Sequence, residues 1–248
     1  MRIKCIVAYD GTDFSGWQIQ PDKRSVQEEI QKAIEKVTGV GVTIYGSGRT
    51  DAGVHASGQV FHFDSDKDIA PRQWERAINH FLPEDIRIYQ SEEVPETFHA
   101  RYSAQGKVYT YTLSDGVYRP WERHHVYQYP YRRLDENAMR EAAKMFLGEH
   151  DFSSYCVTNG SGNAIRRIDE ITVTRKGDVI TMVFKGSGFR RYMVRLLTGA
   201  LIQVGAHRRS PEFFQDILDS RGGKMCLFKA EPQGLSLTEV IYDEGMTG

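Results

Sequence analysis

The chain has 248 residues, of which 40% are hydrophobic and 26% charged, and its formal net charge is −1. These values suit a globular protein of one large domain or two modest ones, and they exclude a low-complexity chain. A net charge so near zero does not by itself point to a nucleic-acid partner.

Taken in order, Arg2 to Tyr9 alternates Ile3, Cys5, Val7 and Tyr9 and predicts a strand. Asp10 to Asp22 reads as a loop around Trp17. Ser25-Val26-Gln27-Glu28 has the pattern of a capping box. Val26, Ile30, Ala33, Ile34 and Val37 then share one helical face, and Gly39 and Gly41 end it. Strands are expected near Val42–Gly46 and Gly58–Phe63. Pro71 opens a second helix with Trp74, Ala77, Ile78 and Phe81 inward, stopped by Pro83, and Ile86–Glu92 is a further strand. The order strand, helix, strand, strand, helix, strand is that of a ferredoxin-like unit.

The second half partly repeats this order. Val108–Leu113 predicts a strand. Asp135 caps a helix with Ala138, Met139, Ala142, Phe146 and Leu147 inward, closed by Gly148. Ile168–Arg175 and Val179–Lys185 form a hairpin around Lys176-Gly177-Asp178. Met193, Leu196, Leu197, Ala200, Leu201 and Val204 give the clearest helix in the chain. Ser210-Pro211 opens a short helix with Phe213, Phe214, Ile217 and Leu218, and Leu235–Tyr242 is the last strand. The expected class is therefore α+β, in two related halves, 1–100 and 101–248, joined near Thr97–Gly106. A cleft between duplicated halves is a natural substrate site.

Cys5, Cys156 and Cys226 are few and far apart, lack metal-ligand spacing, and favour a reducing compartment. No apolar run is long enough for a signal peptide or a membrane span, so a cytoplasmic protein is expected. Arginines cluster at Arg119, Arg123, Arg132 and Arg133, and at Arg166-Arg167, Arg190-Arg191 and Arg208-Arg209. Such clusters suit a basic face balanced by acids elsewhere.

The chain is organised around Gly46-Ser47-Gly48-Arg49-Thr50-Asp51-Ala52-Gly53-Val54-His55-Ala56. Its glycines permit turns and close approach to a ligand, and it offers one carboxylate and one guanidinium from a loop between two strands. This block, followed by Gly58-Gln59-Val60 and His62-Phe63, resembles the catalytic motif of the TruA-type tRNA pseudouridine synthases. Tyr9-Asp10-Gly11-Thr12 with Phe14, Gly16-Trp17-Gln18 and Gln20 resembles their N-terminal signature. Phe98-His99-Ala100-Arg101 with Lys107, Tyr109 and Tyr111 resembles their middle block. Met193-Val194-Arg195 with Gly199 and Val204-Gly205-Ala206-His207 resembles their last block.

The resemblance implies two ferredoxin-like subdomains sharing a mostly antiparallel sheet, the pseudouridine synthase fold. It implies an isomerase that converts uridine to pseudouridine at positions 38 to 40 of the tRNA anticodon arm, acting as a homodimer. Asp51 would be the nucleophile, Arg49 would help evict the target base, Tyr109 would stack on it, and Arg195 would pair with Asp51.

The chemistry fits these residue types. The C1′–N1 bond of uridine breaks, the uracil turns, and a C1′–C5 bond forms. A carboxylate can stabilise or attack an electron-poor sugar and can remove the C5 proton. Attack at C1′, attack at C6 and action at C2′ all remain open. A buried Arg195, flanked by Met193, Val194, Leu196 and Leu197, needs a carboxylate, and a charged Asp51 needs a cation. A uracil inside a stem must be flipped out and met by a flat ring. Tyr109 and Tyr111 point to the same face of one strand, and Tyr111 also reads as core. His55 and His62 read as structural histidines, and neither a hydrolase triad nor a phosphate loop is present. No metal or organic cofactor is implied. Arg101, Arg119, Arg123, Arg132, Arg166, Arg190 and Arg208 are the candidate RNA contacts. Two other readings are the same chemistry on ribosomal RNA and a non-catalytic RNA-binding module.

Overall fold

A computed structural model describes residues 1–157 and 163–243. The chain divides into two compact units: Met1–Gly106 with the last strand from Ser236, and Lys107–Leu235. The boundary thus falls inside a strand, a few residues past the expected join. The expected 101–248 half loses its final strand to the first unit, because that strand pairs with a first-unit strand.

The first unit begins with β1 (Arg2–Tyr9), α1 (Val26–Thr38), β2 (Tyr45–Gly46), β3 (His55–Asp64), α2 (Trp74–Asn79) and β4 (Ile86–Val94). Antiparallel β1 lies between β3 and β4, and β2 pairs with the far end of β3. The spatial order 4-1-3-2 is the one a split βαβ pair generates, with each helix-bearing crossover leaving a central strand and landing on an outer one. Ile3, Cys5 and Val7 of β1 are fully buried, as their alternation predicts. They pack in a core with Ile30 and Ile34 of α1, Phe61 and Phe63 of β3, and Trp74 and Ile78 of α2. Phe63 meets the Trp74 ring edge-on at 5.1 Å.

Three local expectations change here. Ser25 precedes α1 in extended conformation, but its side chain makes no cap bond, and its Oγ is buried without a partner among the described residues. The first helical N–H groups are taken instead by loop carbonyls: Val26 N donates to Gly16 O at 3.2 Å and Gln27 N to Trp17 O at 3.0 Å. Only Tyr45–Gly46 of the expected 42–46 strand pairs, whereas β3 starts three residues early, at His55. Phe81 lies beyond the end of α2 and is exposed, with Lys36 Nζ 5.7 Å from its ring centroid.

The second unit contains β5 (Ala104–Ser114), β6 (Tyr127–Gln128), α3 (Glu136–Ala143), β7 (Gly148–Asp151), β8 (Ile165–Lys176), β9 (Val179–Gly186), α4 (Met193–Gly205) and α5 (Pro211–Asp219). Its strands run β5-β9-β8-β7, each antiparallel to its neighbour, with β6 parallel to β5. Asp135 caps α3 by accepting from Asn137 N and Ala138 N at 3.0 Å each. The helix ends early, at Ala143, so Phe146 is buried by a 3₁₀ turn and Leu147 faces outward. The strand β7 is absent from the sequence reading, since Gly148-Glu149-His150-Asp151 has no apolar residue to mark it. Phe213 of α5 is also more exposed than expected. Nearly every residue of α4 is buried, which fits its mostly apolar sequence. The last strand, β10 (Leu235–Tyr242), pairs in parallel with β3 through Ser236 and Leu237.

No helix among the described residues is long and apolar enough to cross a membrane.

Candidate active site

Asp51 sits on the turn between β2 and β3, half-buried, and the turn is held from several sides by backbone. Trp17 N donates to Thr50 O at 3.2 Å, Gly53 N to Phe14 O at 3.3 Å, and Val54 N to Asp51 O at 3.1 Å. The buried Gln59 side chain braces the near end: its Oε1 accepts from Ser47 Oγ at 2.6 Å and its Nε2 donates to Gly48 O at 3.0 Å. Tyr9 and Thr50 hydroxyls lie 2.8 Å apart, and burial holds the Tyr9 phenol above its ordinary pKa.

Two glycines explain why the long first loop is needed. A Cβ on Gly11 would fall 2.1 Å from Val54 O, and one on Gly16 would fall 2.6 Å from Thr50 O. Gly16 also adopts φ 95. Both contacts are to backbone, which cannot swing away. The first loop therefore lies directly against the Asp51 turn and fixes it. Gly11→Ala is expected to displace the turn and lower the single-turnover rate by about 10²-fold, as misplacements near 1 Å do. An unchanged rate in a folded Gly11→Ala protein would show that the turn is held in some other way.

Arg49 is exposed and makes no hydrogen bond or ion pair among the described residues. Next to the turn, Gly11 N donates to His55 Nδ1 at 3.0 Å, and Asp10 Oδ1 lies 3.2 Å from the same nitrogen. His62 is buried under Tyr45, Phe98 and His99, and its Nδ1 accepts from Ala100 N at 3.1 Å. Burial, then the His99 and Arg2 charges, lower its pKa to about 4. Both histidines anchor backbone, as the sequence predicts.

In the second unit, Arg195 occupies the first turn of α4 and is only 7% exposed. Its Nε donates to Ala230 O at 2.8 Å, and Ala230 N donates back to Arg195 O at 2.9 Å. Its burial follows from the apolar neighbours that flank it in sequence. Tyr109 on β5 is 7% exposed, with the Phe189 ring edge-on at 5.3 Å. Tyr111 is fully buried, and its hydroxyl donates to Glu231 O at 2.9 Å, so it is core.

The candidate RNA arginines do not behave alike. Arg119 is drawn to Glu122 at 3.6 Å and Asp178 at 3.7 Å. Arg132 donates to Ala206 O, Arg123 to Pro120 O, and Arg166 to Asn163 O and Ile165 O. Arg101 lies over the exposed Tyr102 ring at 5.7 Å and Arg208 over Tyr131 at 4.5 Å. Arg190 is half-buried; burial raises the Cys156 pKa, and Arg190 offsets part of that rise.

The tRNA pseudouridine synthase family profile matches residues 5–103 and 142–243. The chain belongs to that family. Its match spans the Asp51 turn and its brace, the Phe98–Arg101 block and α4 with Arg195. Among curated relatives of the family, tRNA pseudouridine synthase A of Oceanobacillus iheyensis is 42% identical over 98% of this chain and 97% of its own length. The Brevibacillus brevis protein of that name is 40% identical over 97% of this chain and 99% of its own. The Maridesulfovibrio salexigens one is 42% identical over 98% and 91%. Residues 104–141 lie outside the profile, so Tyr109, Arg119, Arg123 and Arg132 rest on the sequence resemblance and local geometry alone.

The family signature also explains residues whose purpose sequence reasoning left unstated. Gly11 and Gly16 are contact surfaces for the turn, and Gly46 leaves room for the Trp17 ring, 2.7 Å from where a Cβ would sit. Their signal was the cluster of glycines and Trp17 in the first loop. Nothing in that cluster named the partner segment.

Proposed function

We propose that this protein converts uridine to pseudouridine in tRNA, at positions 38 to 40 of the anticodon arm, as a cytoplasmic homodimer. The observation that carries the reading is the Asp51 turn: the family match runs through it, and backbone bonds to Phe14 and Trp17 of the first loop hold it. Asp51 supplies the carboxylate that assists cleavage of C1′–N1. The uracil leaves as a delocalised anion, so no second acid is needed. After C1′–C5 forms, the C5 proton departs to a base and then to water, N1 takes up a proton from water, and the product is an isomer of the substrate. Arg195 pairs with Asp51 and favours the charged carboxylate. Arg49, with no partner among the described residues, helps evict the target base from the stem.

Tyr109 supplies the face on which the extruded uracil stacks. Because it is well buried, truncation to Ala would also open a cavity, and a shape-filling pair of variants is more informative. Tyr109→Phe keeps the ring and is expected to retain the rate. Tyr109→Leu fills the space without a π face and is expected to lose about tenfold in single-turnover rate. Equal rates for the two variants would remove the stacking role.

The exposed Val117, Tyr118 and Trp121 of the second unit give a surface suited to subunit association. The test of the whole reading uses unmodified tRNA carrying tritium at uracil C5. Release of tritium to water supports it. Release only from ribosomal RNA would move the substrate, and binding without any release would reduce the protein to an RNA-binding module.

A further inference from the structure

We propose that Arg191, Tyr192 and Lys229 form a clamp for one backbone phosphate of the RNA substrate. The clamp deepens the functional reading above and rests on RNA being the substrate.

Tyr192 is the N-cap of α4 and has φ 64 and ψ −1, a left-handed conformation that costs any residue with a Cβ. Its ring collects cations. Lys229 Nζ lies 4.4 Å from the ring centroid, Arg191 Cζ 4.7 Å and Arg195 Cζ 5.6 Å. Arg191 Nη2 also donates to the Tyr192 hydroxyl at 2.9 Å. An aromatic face attracts cations, but it is neutral and cannot cancel their mutual repulsion.

Several cations elsewhere in this protein meet carboxylates. Examples are Lys4 with Glu92, Arg24 with Asp85, Lys144 with Glu141 and Arg175 with Asp115. Neither Arg191 nor Lys229 has a carboxylate within salt-bridge distance among the described residues, and both are exposed. Two exposed like charges on one ring, without an acid, call for an anion from outside. A guanidinium fork and an ammonium together match the oxygens of a phosphate. RNA brings that group, and it would sit beside the same ring that touches Arg195.

The experiment measures binding of labelled unmodified tRNA to the catalytically inert Asp51→Asn protein across a salt series. Tyr192→Gly removes the ring while favouring the left-handed turn, so folding is preserved and checked by thermal melting. Tyr192→Gly, and separately Arg191→Ala with Lys229→Ala, are expected to weaken binding about tenfold. Each is expected to flatten the slope of log affinity against log salt by roughly 0.7–0.9, the loss of one phosphate contact. Tyr192→Phe, which keeps the ring, and Lys144→Ala, far from this ring in sequence and already paired, are expected to keep the parent slope. Variants with the parent's affinity and slope overturn the clamp, as does weaker binding with an unchanged slope. If neither the wild type nor the Asp51→Asn parent binds RNA, the functional reading falls with the clamp; where only the parent fails to bind, the same salt series is read on the wild-type background. If the parent binds and the clamp variants match it, the clamp alone falls.

Discussion

Asp51→Asn is expected to abolish pseudouridine formation while leaving the fold and RNA binding in place. Asn has the same shape, and the turn is also held by backbone bonds among Phe14, Trp17, Thr50, Asp51, Gly53 and Val54 and by the Gln59 side chain, all of which the replacement keeps. The replacement therefore deletes a charge and a nucleophilic oxygen without moving the loop. An amide can neither share electrons with the sugar as a carboxylate does nor accept the C5 proton at neutral pH. The single-turnover rate is expected to fall by about 10⁴-fold or more, which is ~5 kcal/mol of barrier. Tritium release from uracil C5 reads the rate, and filter binding on the same preparations reads affinity. A variant that turns over at the wild-type rate would move the chemistry to another residue. One that binds no RNA would mean that the carboxylate acts in assembly of the site.

The parts of this site that sequence made legible are those set by local spacing. Three glycines around Arg49 and Asp51 announce a turn, and the turn is there. Met193, Leu196, Leu197, Ala200, Leu201 and Val204 announce α4, and the same apolar run puts Arg195 out of water. What stayed hidden depends on residues far apart in the chain. The start of α1 is satisfied by Gly16 and Trp17 carbonyls, so the Ser-x-x-Glu pattern at Ser25 was true to form and misleading in effect. Gly11 meets Val54 only once β1 and β3 have paired. The left-handed turn at Tyr192 had no local signal, because tyrosine does not favour that conformation. Lys229 reaches the Tyr192 ring from the segment that also carries Ala230, the acceptor for Arg195.

The largest expected loss of stability lies away from the chemistry, at Asp115. This carboxylate is completely buried and takes a two-pronged bond from Arg175: Nη1 to Oδ1 and Nη2 to Oδ2, each 2.9 Å. Leu134 N also donates to it at 2.8 Å, while Arg175 Nε reaches Glu136 at 2.8 Å. The cluster therefore ties the end of β5, the start of α3 and β8 together. Burial alone would raise the Asp115 pKa; the Arg175 and Leu134 hydrogen bonds and the Arg175 charge outweigh it and hold the pKa below the ordinary carboxylate value. Asp115→Asn turns one prong into a donor facing a donor and leaves the buried guanidinium with Glu136 and the Leu134 carbonyl, which accepts from Nη2 at 2.6 Å. Breaking a buried pair from one side costs about 3–5 kcal/mol, and the surviving Glu136 contact places the expected loss near the low end, about 3 kcal/mol. The sign with pH follows from the lowered pKa. The contribution is present above the unfolded carboxylate pKa, about 3.9, and fades as pH falls through the lower folded value. Urea denaturation at neutral pH should show the full gap between wild type and Asp115→Asn. The gap should narrow on acidification below about pH 4 as the wild type loses what the variant never had. A gap that is small at neutral pH, or that widens with acid, would mean the Arg175 charge is met mainly by Glu136 and solvent.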